Sequence, residues 1–329
     1  MRVKFQLSKG DYIGIFSPSS PITANCPRRF KRAIEFFENK GFKIINGNLT
    51  GKKDFYRSGS IKDRAEELNE LIRNPNVKCI MSTIGGMNSN SILPYIDYES
   101  FKNNPKPIIG YSDVTAILLG IYSKTGINTF YGPAFVASFG ELEPFVSLTF
   151  NYFEDMLIRG LKTPYKLKNP KIWTDEMIDW ESQKKSKREY KNKLVTVYNG
   201  KVSGRLIGGN LNTIQGIWGS EYMPEIKNGD ILFIEDSLKD AATIERSFSF
   251  LKLNGVFDKI LGIILGKHEL FNDLGTKRKP YEILLEVLGE RKLPFLAEFD
   301  CCHTHPMMIL PIGSKIELDA TNKYIKILE

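Results

Sequence analysis

The pattern of hydrophobic and polar positions alternates between short apolar runs and amphipathic stretches through the first 150 residues. The apolar runs predict strands and the amphipathic stretches predict helices, with Val114, Ile117 and Leu118 beginning one helix directly after Ser112. The strands are expected at 11–17, 42–45, 77–84, 108–109 and 128–131, and the other helices at 27–40, 61–72 and from 91. Strand–helix alternation is typical of a parallel sheet covered by helices on both faces. We therefore expect an N-terminal α/β domain over residues 1–164.

A polar, basic segment over residues 165–193 interrupts this alternation, and we interpret it as a linker or lid. It contains the charge run Lys184–Arg188 together with Trp173 and Trp180. A charge run is usually a solvated face, which is the interpretation adopted here. An indole in such a segment either stacks on a planar ligand group or docks the segment onto the protein body. Both interpretations of the tryptophans stay open.

Short apolar runs return after Leu194 and predict a C-terminal domain of mixed α/β structure, rich in short strands, over residues 194–329. Gly208-Gly209-Asn210 is expected to form a turn. Strands are expected at 201–207, 230–234, 260–265, 295–299, 315–318 and 324–328, and helices at 211–217, 241–253 and 281–288.

Ser112 stands at the corner between the predicted strand ending at Ile109 and the helix that follows. A serine at such a corner can project its hydroxyl above the end of the sheet, facing the N–H groups of a helix N-terminus. An N-cap serine would show the same local pattern, so the sequence around Ser112 leaves both roles open. Two other loops, Ser17–Pro21 and Gly85–Asn88, reach the same sheet edge, where ligands bind in this architecture.

Composition excludes several classes of protein. The chain has 329 residues, 42% hydrophobic and 26% charged, with a net charge of +8, as in an ordinary globular protein. No apolar run is long enough to span a bilayer, and the first residues lack the apolar core of a signal peptide, so a cytoplasmic protein is expected. The basic residues are scattered and accompany no nucleic-acid-binding motif, so no nucleic-acid partner is expected. The four cysteines have no metal-ligand spacing, and we expect reduced thiols and no metal.

A nucleophilic serine needs a base, and the chain has three histidines: His268, His303 and His305. The last two share a loop after a predicted strand, and spacing does not choose between them. Glu235 ends the apolar run 231–234, where a charge is costly without a partner. Spacing favours Glu235 only slightly over Asp236 as the group that orients the base.

Together these motifs resemble the LD-carboxypeptidase family of serine peptidases, including its branch of microcin C self-immunity proteins. The resemblance covers nearly the whole chain. It depends on five motifs in the family's order: Gly85-Gly86, Gly110-Tyr111-Ser112-Asp113, Gly204–Leu211, Phe233–Asp236, and His303-Thr304-x-Pro306 followed by Leu310–Gly313.

The resemblance implies a catalytic triad of Ser112 as nucleophile, His303 as base and Glu235 as its orienting carboxylate. It also implies an oxyanion hole from the backbone N–H groups of Gly86 and Asp113. No cofactor is implied, and members of the family are typically homodimers. Met87, Asn88, Trp173 and Trp180 are the residues expected to bind substrate.

The branch is indicated by two departures from the murein-recycling members, which carry Arg before the glycine pair and Gly before the histidine. This chain has Ile84 and Cys302 there. We therefore expect a serine hydrolase that cleaves an amide or acyl bond near a free carboxylate, in substrates such as microcin C-like aminoacyl-nucleotides. The alternatives are an LD-carboxypeptidase acting on murein tetrapeptides and a non-catalytic ligand-binding protein of the same fold.

Overall fold

The computed structural model describes residues 5–329 and confirms the α/β class. The strands of this range are β1 (Tyr12–Phe16), β2 (Lys43–Asn46), β3 (Val77–Ser82), β4 (Ile108–Gly110), β5 (Thr129–Tyr131), β6 (Tyr165–Lys166), β7 (Ile172–Trp173), β8 (Tyr190–Lys191), β9 (Val195–Tyr198), β10 (Lys201–Asn210), β11 (Ile231–Glu235), β12 (Gly262–Gly266), β13 (Phe295–Phe299), β14 (Leu310–Ile312), β15 (Lys315–Asp319) and β16 (Tyr324–Ile327).

Helices connect these strands. They are α1 (Ile22–Asn25), α2 (Pro27–Asn39), α3 (Ile61–Arg73), α4 (Tyr98–Asn103), α5 (Thr115–Thr125), α6 (Phe135–Phe139), α7 (Phe145–Phe153), α8 (Leu211–Gln215), α9 (Ala241–Leu253), α10 (Val256–Lys259) and α11 (Pro280–Leu288). A 3-10 helix of 7 residues occupies Ser89–Tyr95, a single 3-10 turn occupies Ser112–Val114, and a π-helical turn occupies Glu154–Ile158. The helix expected from residue 91 is thus a 3-10 helix followed by α4.

The first sheet has the order β14-β5-β4-β3-β1-β2. Strands β1 to β5 are parallel, as the strand–helix alternation predicts, whereas β14 pairs antiparallel with β5. Strand β14 comes from the predicted C-terminal domain, so a C-terminal strand completes the N-terminal sheet. The carboxyl ends of β3 and β4 lead into the Gly85–Asn88 loop and the Ser112 corner.

The second sheet is mixed and has the order β6-β16-β15-β10-β11-β12-β13-β9. Its central strands β10 to β13 are parallel, and Glu235 is the last residue of buried strand β11. Strand β6 lies within the predicted linker and pairs with β16, while β7 and β8 form a separate hairpin. The boundaries at 164 and 193 remain predictions.

The expected turn at Gly208-Gly209-Asn210 is wrong, because these residues extend β10 and pair with β11. Gly208 has φ +134°, and a side-chain carbon there would lie 1.8 Å from the carbonyl oxygen of Phe233. The glycine therefore serves close approach of two strands rather than a change of chain direction.

Candidate active site

Ser112 occupies a strained corner between β4 and α5. Its φ is +61°, a left-handed conformation that is unfavourable for a residue with a side chain. The backbone is held there because Ser112 N donates to the Tyr131 hydroxyl at 3.1 Å and Val114 N donates to Tyr111 O at 3.2 Å. Strain at one residue supported by its surroundings is the geometry of a nucleophile elbow.

The loop after β3 approaches this corner closely. A side-chain carbon at Gly85 would lie 2.9 Å from Ser112 Cβ and 3.0 Å from Asp113 N, so only glycine leaves that space open. Gly86 has φ +150°. Within residues 5–329, neither Gly86 N nor Asp113 N donates a hydrogen bond, so both N–H groups remain available to a ligand atom.

Side chains beneath this loop fix its position. The buried Asp113 carboxylate accepts from Asn88 N and Ser89 N, each at 2.9 Å. The Asn88 side chain accepts from Ser19 Oγ at 2.8 Å and from Arg64 Nη1 at 2.7 Å. Asn88 therefore supports the loop from below, while Met87, 75% exposed, lines the cavity above it.

Glu235 and His303 form a hydrogen-bonded pair at the end of β11. His303 Nδ1 lies 2.7 Å from Glu235 Oε2, and the Glu235 side chain is fully buried. Asn210 Nδ2, at 3.0 Å, and the Tyr131 hydroxyl both donate to the other oxygen, Oε1. Asp236, the competing carboxylate, instead accepts from Asn212 N and Ser237 N. The structure therefore makes Glu235, not Asp236, the partner of His303.

The charges of this pair stabilise each other. Burial acts to lower the pKa of the His303 imidazole, but the charge and hydrogen bond of the Glu235 carboxylate have the larger effect and raise it. Burial likewise acts to raise the pKa of Glu235, and the charge and hydrogen bond of His303 bring it below its usual value. An ionised carboxylate held against one ring nitrogen leaves the other nitrogen of His303 free to act as a base.

Ser112 and His303 line one cavity of about 340 Å³ between the two sheets. The Tyr111 ring packs edge-on against the His303 ring, with the ring centroids 4.9 Å apart. Within residues 5–329, Ser112 Oγ forms no hydrogen bond to His303. Contacts of this kind are commonly longer without substrate and tighten in the substrate complex.

The two predicted tryptophans have different surroundings. Trp180 lines the cavity, and the Arg29 guanidinium covers one face of its ring at 4.3 Å from the centroid. Trp173 does not line the cavity but packs near Tyr190, with Lys267 Nζ 5.3 Å from its ring centroid. The segment 165–193 therefore places Trp180 at the cavity wall and packs Trp173 against Tyr190 of the same segment and near Lys267 of the body.

Lys187 is buried, although the charge run Lys184–Arg188 was expected to form a solvated face. It is 6% exposed and lines the cavity, whereas Lys184 and Lys185 are exposed. His305 lines the cavity too, and its Nε2 lies 3.8 Å from Glu141 Oε2.

The sequence alone assigned no role to Tyr131 or Asn210. The one feature that could have indicated a role is their position at the carboxyl ends of β5 and β10, because polar side chains at that edge of a parallel sheet commonly face the ligand site.

Comparison with known proteins places the chain in a family. The profile of the LD-carboxypeptidase N-terminal domain matches residues 13–132, and that of the LD-carboxypeptidase C-terminal domain matches residues 203–318. The chain belongs to the LD-carboxypeptidase family. Both halves of the family's architecture are present in the order that the sequence motifs predict, and this confirms the resemblance.

The chain is most usefully compared with three sets of relatives. It is 58% identical to the microcin C7 self-immunity protein MccF of Escherichia coli over 325 residues, which is 98% of this chain and 94% of MccF. It is also 58% identical over 321 residues to a putative carboxypeptidase of Vibrio cholerae, covering 98% and 96% of the two chains. Solved structures of MccF match at a TM-score of 0.97 with 57% identity, over 99% of this chain and 98% of theirs. Two of these contain aspartyl sulfamoyl adenosine or glutamyl sulfamoyl guanosine.

Proposed function

We propose that this chain is a serine hydrolase that cleaves microcin C-like aminoacyl-nucleotides at the amide or acyl bond of the aminoacyl group. The observation that carries the proposal is the 2.7 Å bond between His303 Nδ1 and Glu235 Oε2, in the cavity onto which Ser112 opens. The 58% identity to MccF and the aminoacyl sulfamoyl nucleosides bound by MccF support this substrate class. Ile84 lines the cavity where murein-recycling members carry Arg, which favours the nucleotide over murein peptides.

In the proposed mechanism, His303 Nε2 takes the proton of Ser112 Oγ while Oγ attacks the acyl carbon. The carbonyl oxygen becomes negative and accepts hydrogen bonds from Gly86 N and Asp113 N, which have no other acceptor within residues 5–329. His303 then gives its proton to the departing nitrogen or oxygen, leaving an acyl-enzyme on Ser112. Water, deprotonated by His303, releases the amino acid and restores Ser112.

Trp180 provides the surface for the nucleotide base. Arg29 covers one face of the indole, and the ring lines the cavity in which a base would stack. Base stacking on aromatic rings contributes about 1–3 kcal/mol per base in proteins that bind single strands.

We further infer a cytoplasmic homodimer. The four free cysteines support a reducing compartment, and the family resemblance supports the homodimer.

Turnover of aspartyl sulfamoyl adenosine by Ser112→Ala tests the nucleophile. Losing the serine of a triad costs about a millionfold in the subtilisin example, so only residual hydrolysis is expected. Ser123→Ala, an α5 serine whose hydroxyl donates to Glu221 O away from the cavity, is the control and should retain full activity. Wild-type rates in Ser112→Ala would refute the assignment.

Two further measurements separate the alternatives. A serine-reactive fluorophosphonate should label the wild-type protein at Ser112, and absence of labelling would favour a non-catalytic binding protein. Competition between aspartyl sulfamoyl adenosine and an LD-linked murein tetrapeptide should show preference for the nucleotide. Faster cleavage of the tetrapeptide would favour the murein-recycling activity.

A further inference from the structure

The peptide group between Gly85 and Gly86 must be held from outside its own loop. A side-chain carbon at Gly85 would lie 2.9 Å from Ser112 Cβ, so the close approach of this loop to Ser112 requires glycine. Glycine has more accessible backbone conformations than any other residue, and a peptide group between two glycines therefore turns easily unless its neighbours fix it. The direction of Gly86 N–H depends on those neighbours.

Ser20 holds the carbonyl side of this peptide group. Ser20 N donates to Gly85 O at 3.1 Å. In a planar trans peptide the C=O and N–H bonds point in opposite directions, so a bond that fixes Gly85 O also fixes the direction of Gly86 N–H. Gly86 N–H itself has no acceptor within residues 5–329.

Ser19 holds the peptide group that follows Gly86. Its Oγ accepts from Met87 N at 3.0 Å and from Asn88 N at 3.2 Å, and it donates to Asn88 Oδ1 at 2.8 Å. Asn88 N also donates to the Asp113 carboxylate, whereas Met87 N has no other acceptor within the described range 5–329. Two consecutive serines therefore hold the peptide groups on both sides of the Gly86 α-carbon.

Helix α3 in turn fixes the loop that carries these serines. Arg64 Nη1 donates to Pro18 O at 2.6 Å, and Glu67 Oε2 accepts from Ser17 N at 2.7 Å. Arg64 and Glu67 lie about one turn apart on α3, and both are buried. Ser19 is thus anchored to a helix of the protein body, as a group that positions another must be.

We propose that Ser19 is a positioning residue of the oxyanion hole, which holds Gly86 N–H in the direction that the transition state requires. This assignment rests on the proposed function, in which Gly86 N donates to the developing oxyanion. Donors that are fixed before the reaction stabilise the new charge without having to reorient. Ser19 is buried and does not line the cavity, so it acts on the reaction through the loop.

Turnover of aspartyl sulfamoyl adenosine by Ser19→Ala tests the proposal. Loss of an oxyanion donor costs about 10²–10³ in kcat in the subtilisin example, and the bond from Ser20 N remains here, so kcat should fall about tenfold to a hundredfold. In the Ser112→Ala background, which prevents turnover, calorimetry should give the same affinity with and without Ser19→Ala. The oxyanion exists only after attack, so its donors contribute little to substrate binding.

Ser247→Ala is the matched control. Ser247 is also buried, and its hydroxyl donates to Thr243 O and accepts from Gln215 Nε2, each at 2.9 Å, on the far side of α8 from no cavity residue of this loop. The variant should lower thermal stability and keep the wild-type kcat. A fall in kcat as large as that of Ser19→Ala would reflect lost stability in general and would overturn the assignment.

The rate at which a fluorophosphonate labels Ser112 tests the same role without the nucleotide. Ser112 Oγ bonds to phosphorus, its proton passes to His303, fluoride leaves, and the phosphoryl oxygen takes the position of the oxyanion. Ser19→Ala should therefore be labelled about tenfold or more slowly than the wild-type protein, whatever the natural substrate is.

The outcomes separate this proposal from the proposed function. Wild-type rates of turnover or of labelling in Ser19→Ala refute the role of Ser19 and leave the proposed function intact. A loss of affinity as large as the fall in kcat also refutes it, because Ser19 would then act on binding. Wild-type protein that is labelled but does not hydrolyse the nucleotide refutes the substrate class, and the labelling rates then decide the role of Ser19. Absence of both reactions refutes the serine mechanism and the oxyanion hole with it.

Discussion

The Tyr131 hydroxyl connects the serine corner to the histidine–carboxylate pair. It accepts from Ser112 N at 3.1 Å and donates to Glu235 Oε1. Tyr131 is fully buried, and its ring packs edge-on against Phe233 with the centroids 5.1 Å apart. Tyr131→Phe keeps this packing and removes both hydrogen bonds, so it isolates what the hydroxyl contributes.

Two losses determine the magnitude. A hydrogen bond to an ionised group contributes about 1.5–3 kcal/mol, and an orphaned buried donor costs about 1–3 kcal/mol. Asn210 still donates to Glu235 Oε1, and Ser112 is only half-buried, so neither loss reaches its upper limit. We expect the free energy of unfolding to fall by about 2–4 kcal/mol. If the hydrogen bond from Tyr131 to the Glu235 carboxylate also stabilises the transition state, its loss lowers kcat about tenfold to a hundredfold.

The pH profile distinguishes a positioning role from a general loss of stability. Without the tyrosine donor, the Glu235 anion is less stabilised, so the His303–Glu235 pair binds its proton more tightly. The acidic limb of kcat/KM, which reports deprotonation of the base, should therefore move to higher pH.

The assay combines this profile with urea unfolding, using Tyr98→Phe as the matched control. The Tyr98 hydroxyl donates to Leu93 O at 2.7 Å, outside the cavity, so that variant should lose stability and keep the wild-type limb. If Tyr131→Phe keeps both the wild-type limb and the wild-type kcat, the hydroxyl has no part in positioning the pair.

Three further predictions concern other parts of the cavity. Gly86 has φ +150°, and the methyl group of Gly86→Ala would lie 2.3 Å from Ser19 Oγ, so the loop and its N–H group should shift. Turnover should then fall about a hundredfold or more because the N–H group no longer reaches the oxyanion. Unchanged turnover contradicts the oxyanion role. Burial lowers the pKa of His305 from 6.5 to about 3, so the unfolded state binds more protons between these values. The free energy of unfolding should therefore decrease as pH falls through this window, by about 1.4 kcal/mol per pH unit, and His305→Gln should remove that slope in urea titrations. In the Ser112→Ala background, which prevents turnover, Trp180→Ala should weaken binding of aspartyl sulfamoyl adenosine about tenfold in calorimetry. Trp173→Ala in the same background should lower thermal stability and leave affinity unchanged, and equal affinities for the two variants contradict the stacking role.

The sequence pattern predicted the parallel strands well because each is a buried apolar run with its own turn residues. Helix α9 and strand β13 have the bounds that the pattern predicts, 241–253 and 295–299. Gly208 and Gly209 were misinterpreted because a glycine pair at a strand–strand contact looks the same in the sequence as one in a turn. The difference lies in the neighbouring strand, 25 residues further along the chain.

The candidate site was less accessible to prediction where a role depends on distant neighbours. Ser112, Glu235 and His303 carry local signals, and the structure brings their segments to one cavity. Lys187 carries a misleading signal, because the adjacent Lys184 and Lys185 are exposed and its burial depends on Glu141, 46 residues away. Tyr131 looked like an ordinary aromatic residue at the end of a strand, and only the fold shows what its hydroxyl contacts.

Strand β14 ties the loop that carries His303 to both sheets. The loop leaves β13 in the second sheet and ends in β14, whose Leu310 pairs with Tyr131 in the first. A motion that separated the sheets would therefore have to displace this loop, and His303 with it, because the loop is anchored in a strand of each sheet. Cutting the chain into two separately expressed pieces would therefore leave the first sheet with an unpaired edge at β5.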